Sequence, residues 1–218
     1  NKKSRRPRRA QAVRIVTQTA PKAKNFLIKR RVPTKKSSGN NYTVSSEDYY
    51  EDLNLVQGKN HYTIQINPGL PTFPWLAQQA QGYDKYRIKK FVVTYVPKNA
   101  TTSTQGTIYG AFDYDCDDSS PTDVKTIMTY QSAKSGCMYN KLAFPYSARC
   151  ANEGMTWRRV RSGPTSHERF LYDPANFHLL IDVPVATPAA GQLIFSYTVE
   201  FSCPGLSVAT TPKLPFTV

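Results

Sequence analysis

Leu193-Ile194-Phe195-Ser196-Tyr197-Thr198-Val199-Glu200-Phe201 decides the fold class. Leu193, Phe195, Tyr197, Val199 and Phe201 take every second position, with Ser196, Thr198 and Glu200 between them. Successive strand side chains point to opposite faces, so this period marks a strand with one face in a core. Working outward, Phe177, Leu179, Ile181 and Val183 repeat it over residues 177–183. Tyr62, Ile64 and Ile66 alternate with His61, Thr63 and Gln65, and Asn67-Pro68-Gly69 stops that strand. Tyr86–Val96 changes phase: Tyr86 and Ile88 share one face, while Phe91, Val93 and Tyr95 run one residue out of step. A bulge near Lys89-Lys90 restores the register. Gly106–Tyr114 is another strand, and a weaker one is predicted near Cys137–Phe144.

Two short helices interrupt the strands. Residues 74–80, Pro-Trp-Leu-Ala-Gln-Gln-Ala, carry Pro in a first turn. Ser120-Pro121-Thr122-Asp123 predicts a second helix with Ser120 as N-cap and an apolar stripe of Val124, Ile127 and Met128. Residues 154–176 have no clear period, with Trp157 and Phe170 expected as core anchors. The pattern predicts an all-β chain, an antiparallel sandwich or jelly roll. A length of 218 residues suits one domain with a tail, and no apolar run approaches the roughly 18 residues of a membrane span. Cys116, Cys137, Cys150 and Cys203 show no metal-binding spacing and read as reduced thiols.

The net charge of +14 has an address. Residues 1–36 hold Lys2, Lys3, Arg5, Arg6, Arg8, Arg9, Arg14, Lys22, Lys24, Lys29, Arg30, Arg31, Lys35 and Lys36, without one acid. Residues 37–218 carry 15 basic and 15 acidic residues and sum to zero. Residues 1–40 therefore read as a partly disordered basic arm, with linker chemistry at 36–41, and residues 41–218 as the folded domain. The alternatives for such a tail are an import signal or a solubilising extension; an import signal needs less charge than this, and nucleic acid is the expected partner. With Phe26 as the arm's aromatic, phosphate neutralisation should outweigh base stacking.

The sharpest local cluster is Asp113-Tyr114-Asp115-Cys116-Asp117-Asp118, at a strand-to-helix loop. Crowded carboxylates repel unless neutralised, and hard oxygen ligands suit Ca²⁺. A solvated acidic turn capping the next helix is the alternative. Glu47-Asp48-Tyr49-Tyr50-Glu51-Asp52 reads as a solvated segment, or as a docking point for a neighbouring subunit's basic residues. The arginines in Trp157-Arg158-Arg159-Val160-Arg161 suit a nucleic-acid face, a subunit interface or ordinary surface charge. His61 and His178 fall on polar strand faces and His167 is isolated, as expected of exposed histidines. No opposed carboxylate pair and no nucleophile motif supports an enzyme.

The stretch Asn67–Thr122 resembles the shell domain of coat proteins from small icosahedral plant RNA viruses of the sobemovirus, necrovirus, tombusvirus and luteovirus-like group. The features carrying it are Phe73-Pro74-Trp75-Leu76, the Tyr83-Asp84-Lys85-Tyr86-Arg87 strand entry, Tyr95-Val96-Pro97, and the run from Gly106 through Asp118 to Pro121-Thr122. The resemblance implies an eight-stranded jelly roll, self-assembly into an icosahedral shell, and an internal arm meeting single-stranded genomic RNA. It implies residence in the virion, with assembly in the host cytoplasm, and neither membrane nor small-molecule substrate. Its metal pattern falls on Asp115 and Asp118, less securely on Asp113 and Asp117, with Ca²⁺ shared between subunits. About fifteen residues follow the last clear strand, which predicts no protruding domain. At 14 arm cations per copy, 60 copies bring 840 and 180 bring 2520. A genome of several kilobases favours the 180-copy, T=3 shell. The competing reading is a cellular nucleic-acid-binding protein with a basic tail on a β-sandwich; a Ca²⁺-dependent lectin-like sandwich is a third.

Overall fold

A computed structural model describes residues 33–98, 106–165 and 168–205. Ten strands and three short helices lie among them. The strands are β1 (Thr34–Ser38), β2 (Asn41–Leu55), β3 (Gly58–Gln65), β4 (Tyr83–Pro97), β5 (Thr107–Asp113), β6 (Lys134–Cys137), β7 (Leu142–Pro145), β8 (Arg158–Arg159), β9 (Asn176–Val183) and β10 (Thr187–Pro204). The helices are α1 (Pro74–Ala80), α2 (Val124–Thr129) and α3 (Ala148–Ala151). No helix among the described residues is long and apolar enough to cross a membrane.

The first sheet runs β1-β2-β10-β4-β7, with β8 also on β4, and the second runs β3-β9-β5-β6. Every pairing is antiparallel. Without the short β1 and β8, four strands face four, as the eight-stranded jelly roll requires. The alternating residues of β10 and β4 supply one side of the core and those of β9 and β5 the other. Phe91, Phe112, Phe177 and Phe195 are each at most 2% exposed and meet as offset or edge-on rings 5.0–6.2 Å apart. Buried hydroxyls find acceptors: Tyr95 donates to Met138 O at 2.8 Å and Tyr86 to Tyr172 O at 2.6 Å. Glycine is required at position 191, where a Cβ would stand 2.2 Å from the Tyr95 ring.

The bulge lies where the phase change places it. Thr198 pairs Lys90 and Val199 pairs Ile88, leaving Lys89 as the extra residue. Helix α1 also matches its prediction.

Other expectations are corrected. Residues 36–41 close the β1–β2 hairpin, with Gly39 at φ +58°, rather than forming a linker. The acidic run 47–52 keeps its solvated character, with Tyr49 exposed and the acids partly so, but it does so on the 15-residue strand β2, whose Leu53 and Leu55 enter the core. The single strand expected near Cys137–Phe144 is two, β6 and β7, in different sheets. The cap of α2 is Asp123, whose Oδ1 accepts from Thr126 N at 2.8 Å, so Ser120 lies before the helix. Met128 is 42% exposed because the helix turns only Ile127 fully inward. Phe170 is 41% exposed and Trp157 only half-buried, so neither anchors the core. The buried residues of that segment are mostly polar or small, Asp173, Ala175 and Asn176 among them, and its buried cation is Arg158, which donates to the Phe170 and Ala151 carbonyls. Polar capping of loop backbone, invisible to periodicity, orders this region.

Candidate functional site

Strand β5 ends by delivering Asp113 into a loop folded by its own side chains. Asp113 Oδ1 accepts from Asp115 N at 3.0 Å, and Asp115 Oδ1 accepts from Asp117 N at 3.1 Å. These successive turns are what short carboxylates do with free backbone N–H groups. Asp117 Oδ1 then accepts from Arg169 N at 3.2 Å, tying the loop to the segment before β9. Between the acids, Cys116 is buried with Sγ on Asp173 O at 3.2 Å; burial, then the charge of Asp173, pushes its thiol up to about 12. All four cysteines are free thiols.

The four aspartates part company. Asp115, Asp117 and Asp118 are exposed, while Asp113 is 4% exposed and turned inward. Its Oδ2 stands 3.8 Å from Nε2 of His178, beyond hydrogen-bond range, and neither atom has a hydrogen-bond partner. His178 has no exposed surface, against the expectation of an exposed histidine. Its Nδ1 is 3.1 Å from Thr63 Oγ1, and its ring stacks with His61 on one side and Tyr130 on the other. Helix α2 explains the burial, because Ile127 packs with Ala111 and Leu180 across the outer face of the second sheet. Burial opposes ionisation of Asp113, but the His178 ring and the Asp115 amide outweigh it and hold the carboxyl below its usual value. Burial, then the charge of Asp113, pushes the Tyr130 hydroxyl up to about 12.

A cation would therefore find Asp115, Asp117 and Asp118 exposed, with one oxygen each of Asp115 and Asp117 already accepting a backbone hydrogen bond, and Asp113 withdrawn. Among the described residues no group of three or more His, Cys, Asp or Glu side chains converges on a metal position. Ca²⁺ takes six to eight oxygens, so the loop of one chain fits it only in part. The donor chemistry suits the ion, and the shortfall lies in ligand number.

Of the fourteen arm cations, Lys35 and Lys36 are described. Both are exposed on β1, and Lys35 Nζ lies 5.9 Å from the Trp75 ring centroid. The other twelve, Lys2 through Arg31, lie outside the described residues. The arginines after Trp157 are divided by the fold. Arg158 is buried, Arg159 is exposed, and Arg161 forms an ion pair with Asp173 at 2.5 Å.

A sandwich of two four-stranded antiparallel sheets, with short helices between strands and a carboxylate loop where β5 ends, defines a jelly-roll domain. The family model "Viral coat protein (S domain)" matches residues 15–206, and the chain belongs to that family. The capsid protein of Red clover necrotic mosaic virus is 29% identical over 203 residues, 91% of this chain and 58% of that protein. The capsid protein of Melon necrotic spot virus is 33% identical over 157 residues, 70% of this chain and 38% of that protein. The chain thus spans about two-fifths to three-fifths of the length of these relatives. Among solved structures, Tobacco necrosis virus superposes with a TM-score of 0.74 at 19% identity, covering 83% of this chain and 90% of that one. Cucumber Necrosis Virus gives 0.75 at 20% identity, covering 90% and 62%. These two likenesses establish the jelly-roll fold, and the relatives are capsid proteins, not enzymes.

Proposed function

We propose that the chain is the shell-forming capsid protein of an icosahedral plant RNA virus, resident in the virion, and that its basic arm packages single-stranded genomic RNA. One observation carries the reading. Every unit of the net charge of +14 lies in the 36 residues at the front of a coat-protein fold whose remaining charges cancel. Near-neutral bodies pack against copies of themselves without self-repulsion, while the arm supplies phosphate counter-charge. Assembly of 180 copies in the host cytoplasm fits the arm's charge to a genome of several kilobases.

Deleting residues 1–31, which leaves β1 intact, should yield shells depleted of RNA, read as a fall in the 260/280 nm absorbance ratio of sedimented particles. Shells of full RNA content after that deletion would refute the arm's role. Protein that stays monomeric in light scattering at neutral pH would favour the cellular nucleic-acid-binding reading.

Asp115 and Asp118 would offer oxygens to Ca²⁺ held between subunits, a neighbouring copy completing the ligand set. The ion's chemistry there is neutralisation of carboxylates that otherwise repel. Chelation at alkaline pH should swell the particle, and Asp115→Asn with Asp118→Asn should abolish that response. Particles indifferent to chelator in both forms would reduce the loop to a folded turn.

A further inference from the structure

The charges of the folded body, residues 37–218 together with Lys36 on β1, are unevenly spread. Outward positions of the first sheet align in rows across its strands: Lys36–Thr43–Glu200–Arg87, then Thr34–Ser45–Thr198–Lys90. A third row joins Ser202, Lys85 and Arg159. The bulge at Lys89 sets two consecutive lysines at the surface where regular alternation would bury one. Six cations, Lys36, Lys85, Arg87, Lys89, Lys90 and Arg159, therefore share one strip. The acids on it are Glu200, paired with Arg87 and with Lys89 Nζ at 3.1 Å, and, one row on, Glu47 beside Ser196. A groove of about 310 Å³ lies along the second row, lined by Lys90, by the hydroxyl residues Thr34, Ser45, Ser196 and Thr198, and by the buried Ser46 and Tyr197. At its edge the Arg87 guanidinium lies 4.8 Å from the ring centroid of Trp157.

We infer that this strip is a second nucleic-acid contact surface, carried by the shell body, that takes the phosphate backbone of single-stranded RNA with the Arg87–Trp157 stack as a ledge for a base. Lysine and arginine with hydroxyl donors are the groups that hold phosphates, and an arginine laid on an aromatic ring offers a planar cation to a base. Interfaces between proteins deplete lysine at their centres and gather aromatic and apolar residues. This strip does the reverse: of the exposed large apolar residues described, Tyr49 stands on the same face but beyond the Glu47–Ser196 row, and Val56, Met128, Tyr139, Phe170 and Val185 are not members of its rows. Its position also favours RNA. Lys36 stands on β1, the strand that follows the arm in the sequence, so the strip begins where the run of arm cations ends along the chain. The inference rests on the proposed function for the identity of the nucleic acid, but binding by the free subunit does not require assembly.

The test uses the full chain. Trp75→Phe leaves Trp157 as the sole tryptophan, since the chain has two. Titration with a 30-nucleotide polyuridine should quench its emission. Lys85→Gln, Lys90→Gln and Arg159→Gln together remove three phosphate contacts at exposed positions. They should cut the slope of log affinity against log salt by about 2, since each contact to a single strand contributes about 0.7, and so cost about 100-fold in affinity between 1 M and 0.1 M salt. A second variant, with the twelve cations of residues 1–31 changed to glutamine, should keep the quenching at low salt with a smaller slope. Unchanged slope and quenching in the triple variant would overturn the inference, whatever the arm variant does. Loss of assembly with the RNA slope intact would overturn it as well, making the strip a subunit contact. Shells of the arm variant that hold full RNA would instead refute the arm's role and leave the strip standing.

Discussion

The outer faces of the two sheets are built on the same alternation and end in opposite environments. On the first sheet, Thr198 and Lys90 face outward in one row and lie at the surface. On the second, Ala111 and His178 face outward in one row and have no exposed area. The difference is helix α2, which covers the second sheet with Ile127 and, at its margins, Val124 and Tyr130. A polar residue on a covered face must find partners within the protein, and His178 finds Thr63 on one nitrogen and none on the other. The bare face stays free to carry charge; the covered one places the β5 loop and its acids.

The largest effect belongs to the core that both faces share. Phe195→Ala should cost about 4 kcal/mol in urea unfolding, whereas Thr198→Ala, three positions on and outward, should stay within about 0.5 kcal/mol. Next comes the covered face. His178→Ala should cost about 2 kcal/mol, through a cavity beneath α2 and an Asp113 left without its neighbour. A cost as small as that of Thr198→Ala would mean that α2 does not cover the face in solution. Asp123→Ala, which removes the cap of α2, should lower the thermal midpoint by less than His178→Ala does.

Acid should expose a smaller contrast. The Asp113 and Glu200 carboxyls are both held below their ordinary values of 3.8 and 4.5. For Glu200, burial acts against this, and the hydrogen bonds of Arg87 and Lys89 overcome it. Carboxyls depressed in the folded state add stability that is complete above those ordinary values and fades as pH falls through the lower folded ones. Unfolding free energy measured between pH 6 and 2 should therefore drop in that acid range. Asp113→Asn and Glu200→Gln should each flatten the drop, and an unchanged acid limb in both would remove these carboxyls as its source.

The burial of His178 had a signal in the sequence. Residues 177–183, Phe-His-Leu-Leu-Ile-Asp-Val, carry Leu180 at an outward position, and near-continuous apolar runs mark strands covered on both faces. The alternation of Phe177, Leu179, Ile181 and Val183 masked it. Trp157 was misplaced for a related reason: a large aromatic suggests a core, yet here its ring serves as the floor for Arg87. The acids of β2 show that a solvated segment need not be a loop: they lie partly exposed along a strand that Leu53 and Leu55, a few residues on, hold in the core.

What the sequence by itself determined is whatever rests on neighbours along the chain. Period-two alternation set the long strands and their inward faces, a phase slip placed the bulge at Lys89, and counting located the charge in residues 1–36. Tertiary structure decided whatever rests on neighbours across the fold. It drew Asp113 out of the acidic cluster toward His178, sixty-five positions away along the chain, and left Asp115 and Asp118 exposed. It also gathered Lys36, Lys85, Arg87, Lys90 and Arg159, spread over more than a hundred residues, onto one strip of sheet. The physical reason is that hydrogen-bonded register brings side chains from distant strands within a few ångströms of one another, and no spacing along the chain encodes that register.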